Sequence, residues 1–168
     1  MSHRLSGEDV RQVALTTPTG FLGFGLGSGL SPAAPGTMGT VVGMLLWLPL
    51  VHLPFWLALS LVLGLFVLGI WICQRCSNAL GVHDHGGIVW DEMVGIWLVL
   101  VCMPFDWRAW LAAFVVFRLF DILKPWPIGW LDRRVSGGFG IMLDDGIAAL
   151  YAIAAIGICA QGIAHLGA

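Results

Sequence analysis

Long apolar runs alternate with short polar segments along the chain. Five such runs lie at residues 38–53, 55–73, 93–103, 110–123 and 146–164. A helix needs about 20 apolar residues to cross a bilayer, so the second and fifth runs have the length of a membrane span. Pro54 separates the first two runs and favours a turn between them. The pattern predicts an all-α, polytopic membrane bundle of about four to five segments.

The first and third runs are short for a membrane span. The first covers 16 residues, so we expect it to tilt little, to thin the membrane locally or to be partly re-entrant. The third reaches spanning length only if its helix begins near Trp90 and continues past Pro104. Otherwise it is a buried half-helix.

The composition agrees with a membrane protein. Hydrophobic residues make up 58% of the chain and charged residues 11%, which is too apolar for one core surrounded by water. The net charge of −2 excludes a basic surface for nucleic acid. Four cysteines lie in or beside the apolar runs, where we expect reduced thiols. The CxxC spacing of Cys73 and Cys76 has no second pair, so we interpret it as coincidence.

The basic residues predict an orientation, because Lys and Arg are retained on the cytoplasmic side. With the N-terminus inside, only Arg108 lies outside, and Arg118 lies within the fourth run. We expect residues 1–20 to form a cytoplasmic segment without a cleaved signal peptide, and residues 21–168 to form one membrane-embedded domain. The basic residues on the cytoplasmic side are then Arg4, Arg11, Arg75, Lys124, Arg133 and Arg134.

Six acidic residues fall on the cytoplasmic side in this topology. Like charges beside a low-dielectric slab repel one another and normally share a cation, and this many oxygen ligands suits Mg²⁺. The alternative is that Asp91 and Asp144 are helix N-caps, with the residue after each complementing a helix N-terminus. The candidate metal ligands are Asp84, Asp91, Glu92, Asp121, Asp144 and Asp145.

Charged residues also recur within the fourth run. Arg118, Asp121 and Lys124 are spaced by three, which predicts one helical face with Asp121 between two cations. Simple ion pairing would explain them. Because charge within a membrane helix is costly, a site is the stronger hypothesis, with phosphate bound by Arg118 and Lys124 and metal bound by Asp121.

Residues 25–40 form a glycine-rich segment that leads into the first run. Ser28, Ser31 and Thr37 could offer hydroxyl donors to a phosphate headgroup at a helix N-terminus. The segment lacks the Lys-Ser/Thr ending of a P-loop, so a flexible membrane-entry loop is an equal alternative. In the 83–87 loop, His85 could supply a metal ligand or an acid–base group, whereas His83 is expected to be a surface residue.

Four stretches together resemble the phosphatidylglycerophosphatase A family of bacterial membrane lipid phosphatases. They read GSGLSPAAPGTMG at 27–39, DEMVG at 91–95, FRLFDILKPWP at 117–127 and GFGIMLDDGIAA at 138–149. The resemblance extends from about Phe21 to the end of the last run. It implies Mg²⁺-dependent hydrolysis of the terminal phosphate of phosphatidylglycerophosphate in phospholipid biosynthesis. It also implies a multi-pass protein of the bacterial inner membrane with a cytoplasmic active site.

The resemblance suggests roles for the polar residues. The metal would polarise the phosphoryl group and activate water, although an aspartyl nucleophile stays open. Membrane lipids and the phospholipid substrate are the expected partners, and the oligomeric state stays open.

A CDP-alcohol phosphotransferase is disfavoured because no Ala-Arg follows Asp145-Gly146. A cation channel or transporter and a structural subunit are the remaining alternatives. The expected catalytic residues are Asp84, Asp91, Asp121, Lys124 and Asp145.

Overall fold

The computed structural model describes residues 6–166, and regular structure in that part of the chain is entirely helical. Short 3₁₀ turns at Gly25–Leu30 and Leu48–Leu50 accompany the α-helices. The predicted all-α class is therefore confirmed. The helices are α1 (Gly7–Thr16), α2 (Pro18–Gly23), α3 (Pro35–Trp47), α4 (Phe55–Leu80), α5 (Trp90–Val101), α6 (Trp107–Leu123), α7 (Ile128–Asp132) and α8 (Gly137–Leu166).

Local sequence signals set several helix ends. At the start of α1, Ser6 and Asp9 form a reciprocal capping box. Asp106 caps α6 by accepting hydrogen bonds from the backbone N–H groups of Arg108 and Ala109. Gly81 ends α4 in the left-handed conformation, with φ +67°, which glycine adopts without steric cost.

Helices α4 and α8 are long and apolar enough to cross a membrane. Their outward faces carry large exposed apolar side chains, including Trp56, Val67 and Ile158. An apolar surface of this extent indicates association with a membrane. Helix α3 is shorter, and the predicted count of four to five spans stays a prediction.

Helix α5 lies at the centre of the bundle and packs against α3, α4, α6 and α8. Met93, Val94, Ile96 and Val99 on this helix are almost fully buried. The third apolar run is therefore a 12-residue core helix, as the half-helix interpretation predicted. Gly43 allows α3 to approach closely, because a Cβ there would lie 3.1 Å from the Cα of Met93.

Two helix boundaries differ from the prediction. Helix α4 continues seven residues beyond the predicted end at 73, and α8 begins nine residues before the predicted start at 146. Both extensions contain polar residues that turn toward other helices, whereas the prediction followed hydropathy. Cys73 and Cys76 consequently lie inside α4, and the four cysteines are free thiols, as expected. Residues up to 20 were expected only as a cytoplasmic segment, but residues 7–16 and 18–23 form helices that pack against α4.

Candidate active site

Two helices, α5 and α8, bring three acidic side chains together. Asp91 and Glu92 belong to the first turn of α5, and Asp145 lies two turns into α8. One carboxylate oxygen from each of these three residues lies within 4.8 Å of the other two. Asp91 is 8% exposed and Asp145 is 3% exposed. We call these three residues the carboxylate cluster.

Asp121 and Asp144 adjoin this cluster. Asp121, in the last turn of α6, is a like-charged neighbour of both Asp145 and Glu92. Asp144 precedes Asp145 on α8 and is itself buried. The structure thus brings together five of the six predicted metal ligands. It also shows that the N-cap interpretation is wrong, because Val89 occupies the cap of α5 and Asp144 lies well inside α8.

The carboxylate cluster has unsatisfied oxygens. Asp91 Oδ1, Glu92 Oε2 and Asp145 Oδ2 are buried without a hydrogen-bond partner among the described residues. A buried, unpaired carboxylate is strongly unfavourable, and three together repel one another. A divalent cation would remove both penalties, and carboxylate oxygen is the ligand that Mg²⁺ prefers. The residues present therefore fit a magnesium site.

Arg118 provides positive charge at one side of the cluster. Its guanidinium pairs with Asp121, and its Nη1 lies 3.6 Å from Glu92 Oε1. Its Nε is buried without a hydrogen-bond partner among the described residues. The predicted Arg118–Asp121 ion pair is therefore present, and Arg118 keeps donor capacity for an anion beside the cluster.

Lys124 occupies a different position from the predicted one. It follows the end of α6 in the left-handed conformation, with φ +42°, so it leaves the helical face that carries Asp121. Its Nζ donates to Asp144 Oδ2 at 2.5 Å and to Asp132 Oδ1 at 2.8 Å. Burial lowers the pKa of Lys124, but these two hydrogen bonds outweigh burial and raise that pKa above its usual value. Lys124 is therefore held as a cation.

Gly36 positions the start of α3 against this site. A Cβ added to Gly36 would lie 2.1 Å from Glu92 Oε1 and 3.1 Å from Arg118 Nη1. A larger residue at this position would displace the Glu92 carboxylate or the backbone of α3. The first turn of α3 therefore lies directly beside the ion pair of Glu92 and Arg118.

The model of the phosphatidylglycerophosphatase A family matches residues 21–160, which include all four stretches quoted above. The chain belongs to this family. It is 46% identical over 139 residues to phosphatidylglycerophosphatase A of Escherichia coli, covering 82% of this chain and 80% of that protein. It is 45% identical to phosphatidylglycerophosphatase A of Haemophilus influenzae, covering 86% of this chain and 90% of that protein. The predicted family is thus confirmed.

A third relative carries a different name. A Bacteroides thetaiotaomicron protein, provisionally assigned as a phosphatidylinositol-3-phosphatase, is 37% identical over 82% of this chain and 90% of that protein. No solved structure matches the chain. Family membership makes the chain a phosphatase, which rules out the interpretations as a transporter or a structural subunit.

Two of the three predicted phosphate-binding hydroxyls in this family member, those of Ser28 and Ser31, have local partners. Ser28 Oγ donates to the carbonyl of Gly25 and Ser31 Oγ to that of Ala33, each at 2.8 Å. Ser31 also lines a surface cavity of about 500 Å³ together with Arg11 and His85. Thr37 is half-buried and directly follows Gly36 in the first turn of α3. Of the three hydroxyl residues, Thr37 has the position beside the site.

The 81–89 loop lies at the edge of the site. Asp84 is exposed in this loop and lies outside the carboxylate cluster, so its metal-binding and catalytic roles stay predictions. His83 Nε2 accepts a hydrogen bond from the backbone N–H of Gly137 at 2.8 Å, which ties the loop to the start of α8. His85 Nδ1 accepts from the N–H of Gly87 at 3.0 Å. Neither histidine belongs to the cluster.

Two residues of the site, Asp132 and Gly36, were not predicted from the sequence. Asp132 on α7 binds Lys124 across a turn that contains Pro125 and Pro127, so no helical spacing connects the pair. Gly36 could have been noticed as the glycine at the start of a helix in Pro35-Gly36-Thr37. Its contact with Glu92 and Arg118, however, depends on the packing of three helices.

Proposed function

We propose that this protein hydrolyses the terminal phosphate monoester of phosphatidylglycerophosphate, yielding phosphatidylglycerol and phosphate for phospholipid biosynthesis. The names of the Escherichia coli and Haemophilus influenzae relatives support this substrate. The observation that carries the proposal is the carboxylate cluster, whose buried oxygens lack partners and which has Arg118 at its side. A metal-dependent phosphatase needs this combination of anionic ligands and one cationic donor.

In the proposed mechanism, Asp91, Glu92 and Asp145 would hold Mg²⁺, with Asp121 and Asp144 available nearby. Bound there, Mg²⁺ would polarise the phosphoryl oxygens and activate water. The bond from the water oxygen to phosphorus forms as the bond from phosphorus to the glycerol oxygen breaks. A carboxylate of the site accepts the proton of the water, and a proton returns to the glycerol oxygen. An aspartyl nucleophile is the competing route.

The cationic residues have separate roles. The guanidinium of Arg118, fixed by Glu92 and Asp121, neutralises charge that develops on the phosphoryl group. Lys124 is held between Asp132 and Asp144 and supplies a second positive charge at the same end of the bundle. Thr37 is the hydroxyl residue best situated to contact the headgroup, beside Gly36 at the start of α3.

We further propose a multi-pass location in the bacterial inner membrane, with the active site at the cytoplasmic face. Two apolar helices of spanning length and the distribution of Lys and Arg support this orientation. The acyl tails of the substrate stay in the bilayer while the phosphate reaches the carboxylate cluster at the interface.

The test is phosphate release from phosphatidylglycerophosphate by the purified protein in detergent, with Mg²⁺ or with excess chelator. We expect activity only with the metal, and a loss of at least about a hundredfold in Asp145→Asn. Asp106→Asn is the matched control, because Asp106 is an exposed helix cap and Asn caps equally well. Full activity of Asp145→Asn, or undiminished activity in chelator, would overturn the proposed site.

A substrate panel tests the headgroup. Phosphatidic acid and phosphatidylinositol 3-phosphate present a phosphate monoester in other surroundings, and the Bacteroides thetaiotaomicron relative makes the second compound relevant. We expect the highest kcat/KM for phosphatidylglycerophosphate. A higher value for phosphatidylinositol 3-phosphate would show that the substrate is wrong although the phosphatase chemistry is right.

A further inference from the structure

An apolar groove lies between α3 and α6. Both helices pack on α5, and they leave between them a cavity of about 480 Å³. Its walls include Val41 and Met44 on α3, Leu48 just after α3, and Trp110, Leu111 and Phe114 on α6. Trp110 is 8% exposed, whereas Leu111 is 53% exposed, so the groove has a buried base and an open rim.

The groove continues directly from the phosphatase site. Arg118 follows Phe114 by one helical turn, and Thr37 precedes Val41 by one turn, so each lies on the face of its helix that lines the groove. The two helices meet at this end, where Gly36 approaches the guanidinium of Arg118. The groove therefore begins where the site ends.

The dimensions of the groove suit a lipid chain. Along α3 and its C-terminal end it extends over seven residue steps, from Val41 to Leu48, which is roughly 10 Å at 1.5 Å per residue. It runs away from the carboxylate cluster along both helices, and its walls carry no charged side chain. In phosphatidylglycerophosphate a glycerol and a phosphodiester separate the terminal phosphate from the acyl chains. The acyl chains thus begin at a distance of about one or two helical turns from Arg118, measured along α6 at 5.4 Å per turn.

We propose that the groove between α3 and α6 binds one acyl chain of the phospholipid substrate while its phosphate occupies the carboxylate cluster. This inference rests on the proposed function, because the direction of the lipid follows from placing its phosphate at the carboxylate cluster. Because the bilayer is as apolar as the groove, the benefit comes from packing and orientation rather than from removal of apolar surface from water. The groove would therefore favour lipids whose acyl chain is long enough to fill it, and it would align the headgroup.

Binding is tested by photolabelling with phosphatidylglycerol that carries a diazirine on one acyl chain. This product analogue reports on the groove without turnover. We expect label on groove residues of α3 and α6, reduced by excess phosphatidylglycerophosphate and unchanged by phosphatidylcholine. Label spread evenly over the outward faces of α4 and α8, or insensitive to competitor, would indicate bulk lipid and overturn the proposal. Intermolecular contacts of the groove with a second copy of the chain would also overturn it.

Kinetics provide the second test. Leu111→Trp fills the rim of the groove at an exposed position, and Val67→Trp is the matched control on the exposed face of α4. We expect Leu111→Trp to raise KM at least threefold for dioleoyl phosphatidylglycerophosphate and to leave the dihexanoyl compound unaffected, and Val67→Trp to change neither. Equal effects on both substrates, or none, would overturn the groove proposal. If wild-type protein hydrolyses neither compound, the proposed function fails, and the photolabelling pattern still decides the groove.

Discussion

At the scale of single residues, the main feature is the accumulation of negative charge without compensation. Asp91, Glu92 and Asp145 each bury an oxygen that lacks a partner among the described residues, while Arg118 is the one cation that contacts this cluster among them. Such an arrangement opposes folding unless the charge is removed or shared. The cost is consistent with a site in which a cation is bound during function.

The repulsion among the buried carboxylates predicts that Asp145→Asn stabilises the metal-free protein and weakens its stabilisation by Mg²⁺. Asp145→Asn removes one repelling charge, so the Tm of the metal-free protein should rise. Mg²⁺ should stabilise the wild type by roughly 5 °C and this variant by much less. Thermal unfolding in detergent, with and without Mg²⁺, measures both. An equal Mg²⁺ shift in wild type and variant would contradict a role of Asp145 in metal binding.

Lys124 forms ion pairs with Asp144 and Asp132, and substitutions can separate what each pair contributes to stability and to activity. Lys124→Met leaves Asp144 buried without its cation, so we expect a loss of roughly 2 kcal/mol of stability in addition to a large loss of activity. Asp132→Asn removes the more exposed partner and should reduce activity only a few-fold. Parallel measurements of Tm and phosphate release test the comparison. A larger defect in Asp132→Asn than in Lys124→Met would reverse the assignment.

At the scale of helices, the close approach of α3 to α5 and α6 depends on Gly36. In Gly36→Ala the new Cβ would meet Glu92 Oε1 at 2.1 Å, so either the Glu92 carboxylate or the first turn of α3 must shift. We expect phosphate release to fall at least about tenfold, because a small displacement in a site is costly. Gly64→Ala in α4 is the control, since its Cβ meets no atom within 4 Å. Unchanged activity of Gly36→Ala would show that α3 does not position the site.

The helices also show how far the sequence predicts the structure. Hydropathy located α3, α4, α5, α6 and α8, because apolar runs of this length usually form membrane-spanning or buried helices. Hydropathy misplaced the C-terminal end of α4 and the N-terminal end of α8. There Gln74, Asp144 and Asp145 are polar but face other helices. The acidic residues of the site could be predicted, because charge is rare in so apolar a chain. Asp132 and Gly36 could not, because their contacts arise only when several helices pack together.

At the scale of the whole molecule, the direction of the helices places both parts of the proposed substrate site. Helix α3 begins at the carboxylate cluster and α6 ends there, so the two helices are antiparallel and both extend from the site toward the opposite end of the bundle. Ser136, just before α8, belongs to the end of the bundle that carries the cluster. Phe105, just before α6, belongs to the opposite end.

These two positions test the orientation in the membrane. We expect one added cysteine at Ser136 or at Phe105, both exposed, to react from opposite sides. The background replaces the exposed Cys102 and Cys159 by serine and keeps the buried Cys73 and Cys76. In intact spheroplasts a membrane-impermeant maleimide should label Phe105→Cys and leave Ser136→Cys unlabelled, and inverted vesicles should give the reverse. Phosphate release by each variant confirms that it is folded. If Ser136→Cys instead reacts in intact spheroplasts, the site faces outward, and the orientation drawn from Lys and Arg is wrong. The substrate would then have to be supplied from the outer leaflet.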